Sequence, residues 1–298
     1  MSGNRGLLAE WYGLARPFTL TAAAVPVLFG TALAYADGDF SWRPFLAMLL
    51  ASLLIQAATN MFNEFYDEKR GLDTEGSVGI AGSIVQGRMQ ARNVLLGALF
   101  CYTLALFLGL YLVYVGGWPI LLLGCLSALG GYVYSAGPRP LAYTPASEAT
   151  VFVFMGLLIV VITYGVQTDS YPLFVALAAT PIGALVAAIL LANNIRDLES
   201  DRRGGRNTLP IAFGRRSGIF VYRSLLLGAY LLVAALGLLG VVSAGSLLAT
   251  LSAPLTVRLW GRVASSTVPE RLDPVVKGTA ALHAVFGLLY TAGVLLPL

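Results

Sequence analysis

Nine apolar runs, most of them long enough to cross a bilayer as a helix, make up most of this chain, and two acidic islands interrupt them. The runs cover about 18–36, 44–62, 93–115, 119–136, 148–167, 172–192, 218–241, 246–260 and 279–297. A helix needs about 20 mainly apolar residues to cross the hydrocarbon core. In lipid the backbone polar groups must be satisfied inside the segment, which makes each run a helix. Charged residues are 11% of the 298 positions and hydrophobic ones 57%; a soluble domain carries about 25% charge, so the bilayer is the solvent this chain is written for. Turn signals such as Gly116-Gly117-Trp118-Pro119 and Gly137-Pro138-Arg139-Pro140 separate the runs. The expectation is an all-α membrane protein of nine transmembrane helices in one domain over 1–298, with no linker, low-complexity segment or cleavable signal peptide.

Charge orients the bundle. With the N-terminus in the cytoplasm, 18 of the 19 lysines and arginines fall in inside segments and only Arg43 lies outside. The positive-inside rule predicts that bias and gives an N-in, C-out topology in the cell membrane. Basic residues confined to short loops between spans argue against a nucleic-acid partner. Cys101 and Cys125 both fall in apolar runs and form no metal or disulfide framework. The single histidine, His283, reads as a packing residue of the last span.

The first island, Thr59 to Gly87, holds Glu64, Asp67, Glu68, Asp73 and Glu75; the second, Asn193 to Pro210, holds Asp197, Glu199 and Asp201. Four spans separate them, so both face the cytoplasm. Each contains Asn-x-x-x-Asp, Asn63 to Asp67 and Asn193 to Asp197, and residues four apart share a helix face. Polar loops beside spans are usually just solvated, but a shared face and a shared spacing set these two apart. Facing carboxylate clusters are hard-oxygen sites for Mg²⁺ shared with substrate phosphates. Such an ion neutralises a departing pyrophosphate. Lys69, Arg70, Arg196 and Arg206 lie beside the acids and can contact phosphate oxygens. No nucleophile motif and no P-loop accompanies them.

These residues resemble the UbiA superfamily of intramembrane aromatic prenyltransferases. Asn63-x-x-x-Asp67-x-x-x-x-x-Asp73 is similar to its first Asp-rich motif and Asp197-x-x-x-Asp201 to its second. The segments Ala15 to Leu20, Gly137 to Tyr143 and Asn193 to Leu209 resemble the menaquinone-pathway branch, the 1,4-dihydroxy-2-naphthoate polyprenyltransferases, and the resemblance covers nearly the whole chain. Asp67 and Asp73, six apart, need a break near Gly71 to point together, and Arg206 stands where relatives carry a lysine.

The resemblance implies a bundle around a central cavity capped by the two islands, in which Mg²⁺ on Asn63, Asp67, Asp73, Asp197 and Asp201 holds the diphosphate of a polyprenyl donor. Asp67, Asp73, Asp197 and Asp201 would carry the catalysis. Asn193, Asn194, Arg196, Arg206, Lys69 and Arg70 would support the diphosphate, and Tyr134, Arg139 and Tyr143 the acceptor or the cavity mouth. Transfer to 1,4-dihydroxy-2-naphthoate would release diphosphate and CO₂ in menaquinone or phylloquinone synthesis, with membrane lipid as surroundings and no obligate protein partner. The alternatives are another acceptor, 4-hydroxybenzoate or homogentisate, a cation or phosphate transporter, and a quinone-binding scaffold.

Overall fold

The computed structural model describes residues 6–71, 76, 78–79, 81–135 and 140–296, and among these every regular element is helical. A short helix α1 (Leu7–Ala15) leads to α2 (Pro17–Ala36) and α3 (Trp42–Lys69). After the first island come α4 (Ala91–Ser135), a 3₁₀ turn (Leu141–Tyr143), α5 (Ser147–Val151), a π-helical stretch (Phe152–Leu158) and α6 (Ile159–Thr168). Then follow α7 (Leu173–Arg196), α8 (Leu198–Arg203), α9 (Leu209–Ala212), α10 (Arg215–Leu238), a 3₁₀ segment (Ala244–Ser252), α11 (Ala253–Arg262) and α12 (Pro269–Val294). Seven helices among the described residues are long and apolar enough to cross a membrane.

One of the seven, Ala91–Tyr134, is 44 residues long and folds back on itself. Gly117 breaks it at φ 68° and ψ −160°, a conformation costly for any residue with a Cβ. The arm before Gly117 lies along α3, where Tyr102 Oη is 3.2 Å from Thr59 Oγ1. The arm after it lies along the stretch 147–168, with Gly130 close to the ring of Phe154. Its far end leads to Tyr143, which Arg70 at the end of α3 contacts at 2.6 Å. A straight helix of this length would hold its ends about 66 Å apart.

The core sits among α2, α7, α10 and α12. Phe29 stacks on Tyr290 at 4.4 Å, and the Tyr290 hydroxyl donates to the carbonyl of Ala178 at 3.0 Å. Tyr222 and Thr279 share a hydroxyl hydrogen bond at 2.7 Å. Between membrane helices the hydrophobic effect gives little, and close packing of small residues does more. Gly156 in the π-helical stretch touches Gly183 of α7 so closely that a Cβ on Gly156 would stand 2.2 Å from the Gly183 Cα. α4 instead turns Leu106, Phe107 and Tyr114 outward, where lipid covers them. Cys125 lies on this outer surface, not in the interior its apolar run suggests.

Two helices run past the apolar limits. α3 continues through Asn63 and Asp67, and its 28 residues span about 42 Å against a core of about 30 Å. α12 begins at Pro269, ten residues before its apolar run, because Pro is pre-set for the first helical turn. Both extensions carry polar side chains to the same end of the bundle.

Candidate active site

At that end the two islands meet on one guanidinium. Arg206 Nη2 is 3.0 Å from Asp67 Oδ1 of α3, and Nη1 is 3.0 Å from Asp201 Oδ1 of α8. The same guanidinium lies over the ring of Tyr143, 4.7 Å from its centroid. Tyr143 is held from behind, its carbonyl accepting from Asn207 N at 2.8 Å. Arg70 donates to its hydroxyl at 2.6 Å and lies near the rings of Tyr66 and Tyr143. Acid residues 134 positions apart in sequence therefore face each other across a single cation.

Burial pushes the Asp201 carboxyl up to about 6; Arg206 pulls it down, while Asp197 and Asp67 add to the rise. For Arg206, burial works against the charge, but Asp67 and Asp201 outweigh it and hold the guanidinium above its ordinary range.

A second arginine organises the rest of the second island. Arg196 closes α7 and is only 5% exposed. It donates through Nε and Nη2 to the two oxygens of Asp197 at 2.7 and 2.6 Å, and through Nη2 to Asn193 Oδ1 at 2.7 Å. Its Nη1 reaches Asp273 of α12 at 2.9 Å, and Asp273 in turn pairs with Lys277 at 2.6 Å. Asn193 and Asp197 thus do aim at one point, as their spacing suggests, and the point is the Arg196 guanidinium. Gly79, at φ +79°, runs directly over it: a Cβ there would stand 2.1 Å from Nη1.

Two expectations change here. The sequence offers Arg196 to phosphate, but its edges are committed to Asp197, Asn193 and Asp273, so it positions carboxylates. Asn194 is buried and donates to Glu148 Oε1 at 2.8 Å, so its amide serves a protein carboxylate. Asn63, Lys69 and Arg70 lie exposed on the last turns of α3 and just beyond it. Tyr134 is partly buried against the main core. Gly71, at φ +68°, makes the expected break after α3, while Asp73 and Arg139 lie outside the described residues.

Three site-side residues escaped the sequence reading. Asp273 and Lys277 sit in the polar first turns of α12, and their i,i+4 spacing was the available signal. Glu148 was a single acid at the edge of a span. Glu64 also serves structure, accepting from Ser83 N at 2.7 Å and lying 3.5 Å from Arg16, while Glu10 takes Arg88 Nε and Ser83 Oγ at 2.8 Å each. These bonds fasten the chain around residues 81–89 to α1 and α3.

Asp67, Asp197 and Asp201 supply hard oxygens, and Asp201 Oδ2 is buried with no hydrogen-bond partner. Among the described residues no three His, Cys, Asp or Glu side chains form a ready metal cage. An ion that takes part of its shell from substrate phosphates needs none, so a Mg²⁺ site fits this donor set.

The fold is that of a multi-pass helical membrane protein, with its two carboxylate islands converging on Arg206 at one end. A family model described as the UbiA prenyltransferase family matches residues 23–273, and the chain belongs to that family. It is 41% identical over 283 residues to the 1,4-dihydroxy-2-naphthoate octaprenyltransferase of Bacillus subtilis, covering 95% of this chain and 91% of that one. The protein of the same name from Escherichia coli is 30% identical over 302 residues, with 96% and 95% covered. Among solved structures, a UbiA homolog from Archaeoglobus fulgidus bound to GPP and Mg²⁺ superposes with a TM-score of 0.66 at 19% identity, covering 95% of this chain and 99% of that one.

Proposed function

We propose that this protein transfers a polyprenyl group from a polyprenyl diphosphate to 1,4-dihydroxy-2-naphthoate, releasing diphosphate and CO₂, as a step of menaquinone or phylloquinone synthesis. The observation that carries the reading is the convergence of Asp67 and Asp201 on Arg206 at one end of an apolar bundle. The names of the relatives above support the acceptor.

Asp67, Asp197 and Asp201, with Asn63 and Asp73, would hold Mg²⁺. When bound, the ion supplies charge neutralisation for the leaving diphosphate. Arg196, tied to Asp273, keeps Asp197 in place, and Arg206 keeps Asp67 and Asp201 turned to one point. Lys69 and Arg70 would take phosphate oxygens, with the Arg206 charge beside them. The allylic C–O bond ionises, the electron-rich ring carbon attacks, and the carboxylate at the attacked position leaves as CO₂. Apolar side chains around a central cavity would keep water from the cation. Tyr134 and Tyr143 would serve the acceptor side.

The same reading makes α4 two crossings and the segment from Ala244 to Arg262 another, for nine in all in a single domain. It puts the N-terminus and the site on the cytoplasmic side of the cell membrane.

The test uses purified protein in lipid with Mg²⁺, geranylgeranyl diphosphate and carboxyl-radiolabelled 1,4-dihydroxy-2-naphthoate. Prenylated product and labelled CO₂ are expected, both abolished by EDTA and by Asp197→Asn. Prenylation of 4-hydroxybenzoate or homogentisate instead keeps the class and overturns the acceptor. No turnover with any aromatic acceptor overturns the reading.

A further inference from the structure

Four acids are buried among the described residues: Glu10, Glu64, Glu148 and Asp201. Three of them have an arginine: Arg88 for Glu10, Arg16 for Glu64 and Arg206 for Asp201. Glu148 has none. Only 5% exposed, it accepts Asn194 Nδ2 at 2.8 Å on Oε1 and Ser147 Oγ at 2.9 Å on Oε2. Both partners are neutral. A buried carboxylate without a cation is costly.

Its position gives that cost a use. Asn194 lies one turn deeper in α7 than Asp197, so Glu148 stands beneath the diphosphate-facing carboxylates, toward the bilayer. Tyr134 lies within electrostatic reach of both Glu148 and Arg206. An aromatic acceptor meeting the donor's allylic carbon from below the diphosphate would have its hydroxyls there.

We infer that Glu148 is the proton acceptor for the acceptor's hydroxyl. The inference rests on the prenyl-transfer reading above. The allylic C–O bond breaks and diphosphate leaves with the electron pair. The carboxylate-bearing ring carbon then forms the new C–C bond. The O–H pair of the neighbouring hydroxyl becomes part of a carbonyl, and its proton passes to a Glu148 oxygen. Loss of CO₂ returns an electron pair to the ring and restores the aromatic enolate, whose oxygen takes the proton back. Glu148 ends as it began, and no other reactant is consumed.

Glu148→Gln tests this with little risk to the fold, since a glutamine can accept from Asn194 and donate to Ser147 Oγ. Two quantities are read: turnover of 1,4-dihydroxy-2-naphthoate, and scrambling of an oxygen-isotope label from the bridging position of the polyprenyl diphosphate without acceptor. Scrambling reports C–O ionisation alone. Turnover is expected to fall about 100-fold or more, the usual worth of a placed base, while scrambling stays near wild type. Glu148→Gln turning over like wild type overturns the proton role and leaves the prenyl-transfer reading standing. Joint loss of turnover and scrambling also overturns it, since Glu148 would then support the diphosphate side. A wild type that turns over no aromatic acceptor removes both.

Discussion

Replacing Arg206 by methionine keeps volume and removes the cation that bridges Asp67 and Asp201. Each pair is 3.0 Å long, with side-chain exposures of 20% for Arg206, 23% for Asp67 and 8% for Asp201. At an effective dielectric near 20, each contact is worth about 5 kcal/mol before desolvation is charged against it. Breaking a buried pair by removing one partner costs about 3–5 kcal/mol. The lower end applies, because Asp201 already sits at about 6 and can take a proton once its arginine is gone. A loss of about 3 kcal/mol, at about 2 °C per kcal/mol for a chain of this size, lowers Tm by about 6 °C. That drop is expected in detergent micelles with EDTA. With saturating Mg²⁺ the ion supplies the missing positive charge between the same carboxylates, and the drop should shrink by half or more. Thermal unfolding of wild type and Arg206→Met in both buffers decides the matter. Equal drops with and without Mg²⁺ would refute a metal site at Asp67 and Asp201, and no drop in EDTA would refute the electrostatic role given to Arg206.

Two further outcomes follow from the packing. Asp273→Asn leaves Arg196 held only from the α7 side; a charge-assisted hydrogen bond is worth about 1.5–3 kcal/mol, so Tm should fall by about 3–6 °C. KM for the diphosphate donor should rise as Asp197 loses its placement; an unchanged KM would separate Asp273 from the site. Gly156→Ala forces α7 away from the π-helical stretch and should destabilise the protein by about 1–3 kcal/mol in EDTA and Mg²⁺ alike. A shift that depended on Mg²⁺ would contradict its assignment to packing.

Hydropathy alone was enough to make this a helical membrane protein, because lipid leaves a long apolar run no other way to satisfy its backbone. The residues Asn63, Asp67, Asp197 and Asp201 also stood out unaided, since acids at helical spacing between apolar runs are conspicuous. Helix ends were less legible: the run beginning near 279 hid the turns that carry Asp273 and Lys277, because hydropathy measures solvent preference and a helix can continue past the bilayer. What only the tertiary structure decided was which charge faces which. Arg196 and Arg206 look alike as sequence, yet one is consumed by Asp197 of its own island and Asp273 of α12 while the other bridges the two islands. Glu148 differs from Glu10 and Glu64 only in the cation it lacks. Pairings of this kind are set by where separate helices end in space, and a charge carries no record of its partner until the bundle has closed.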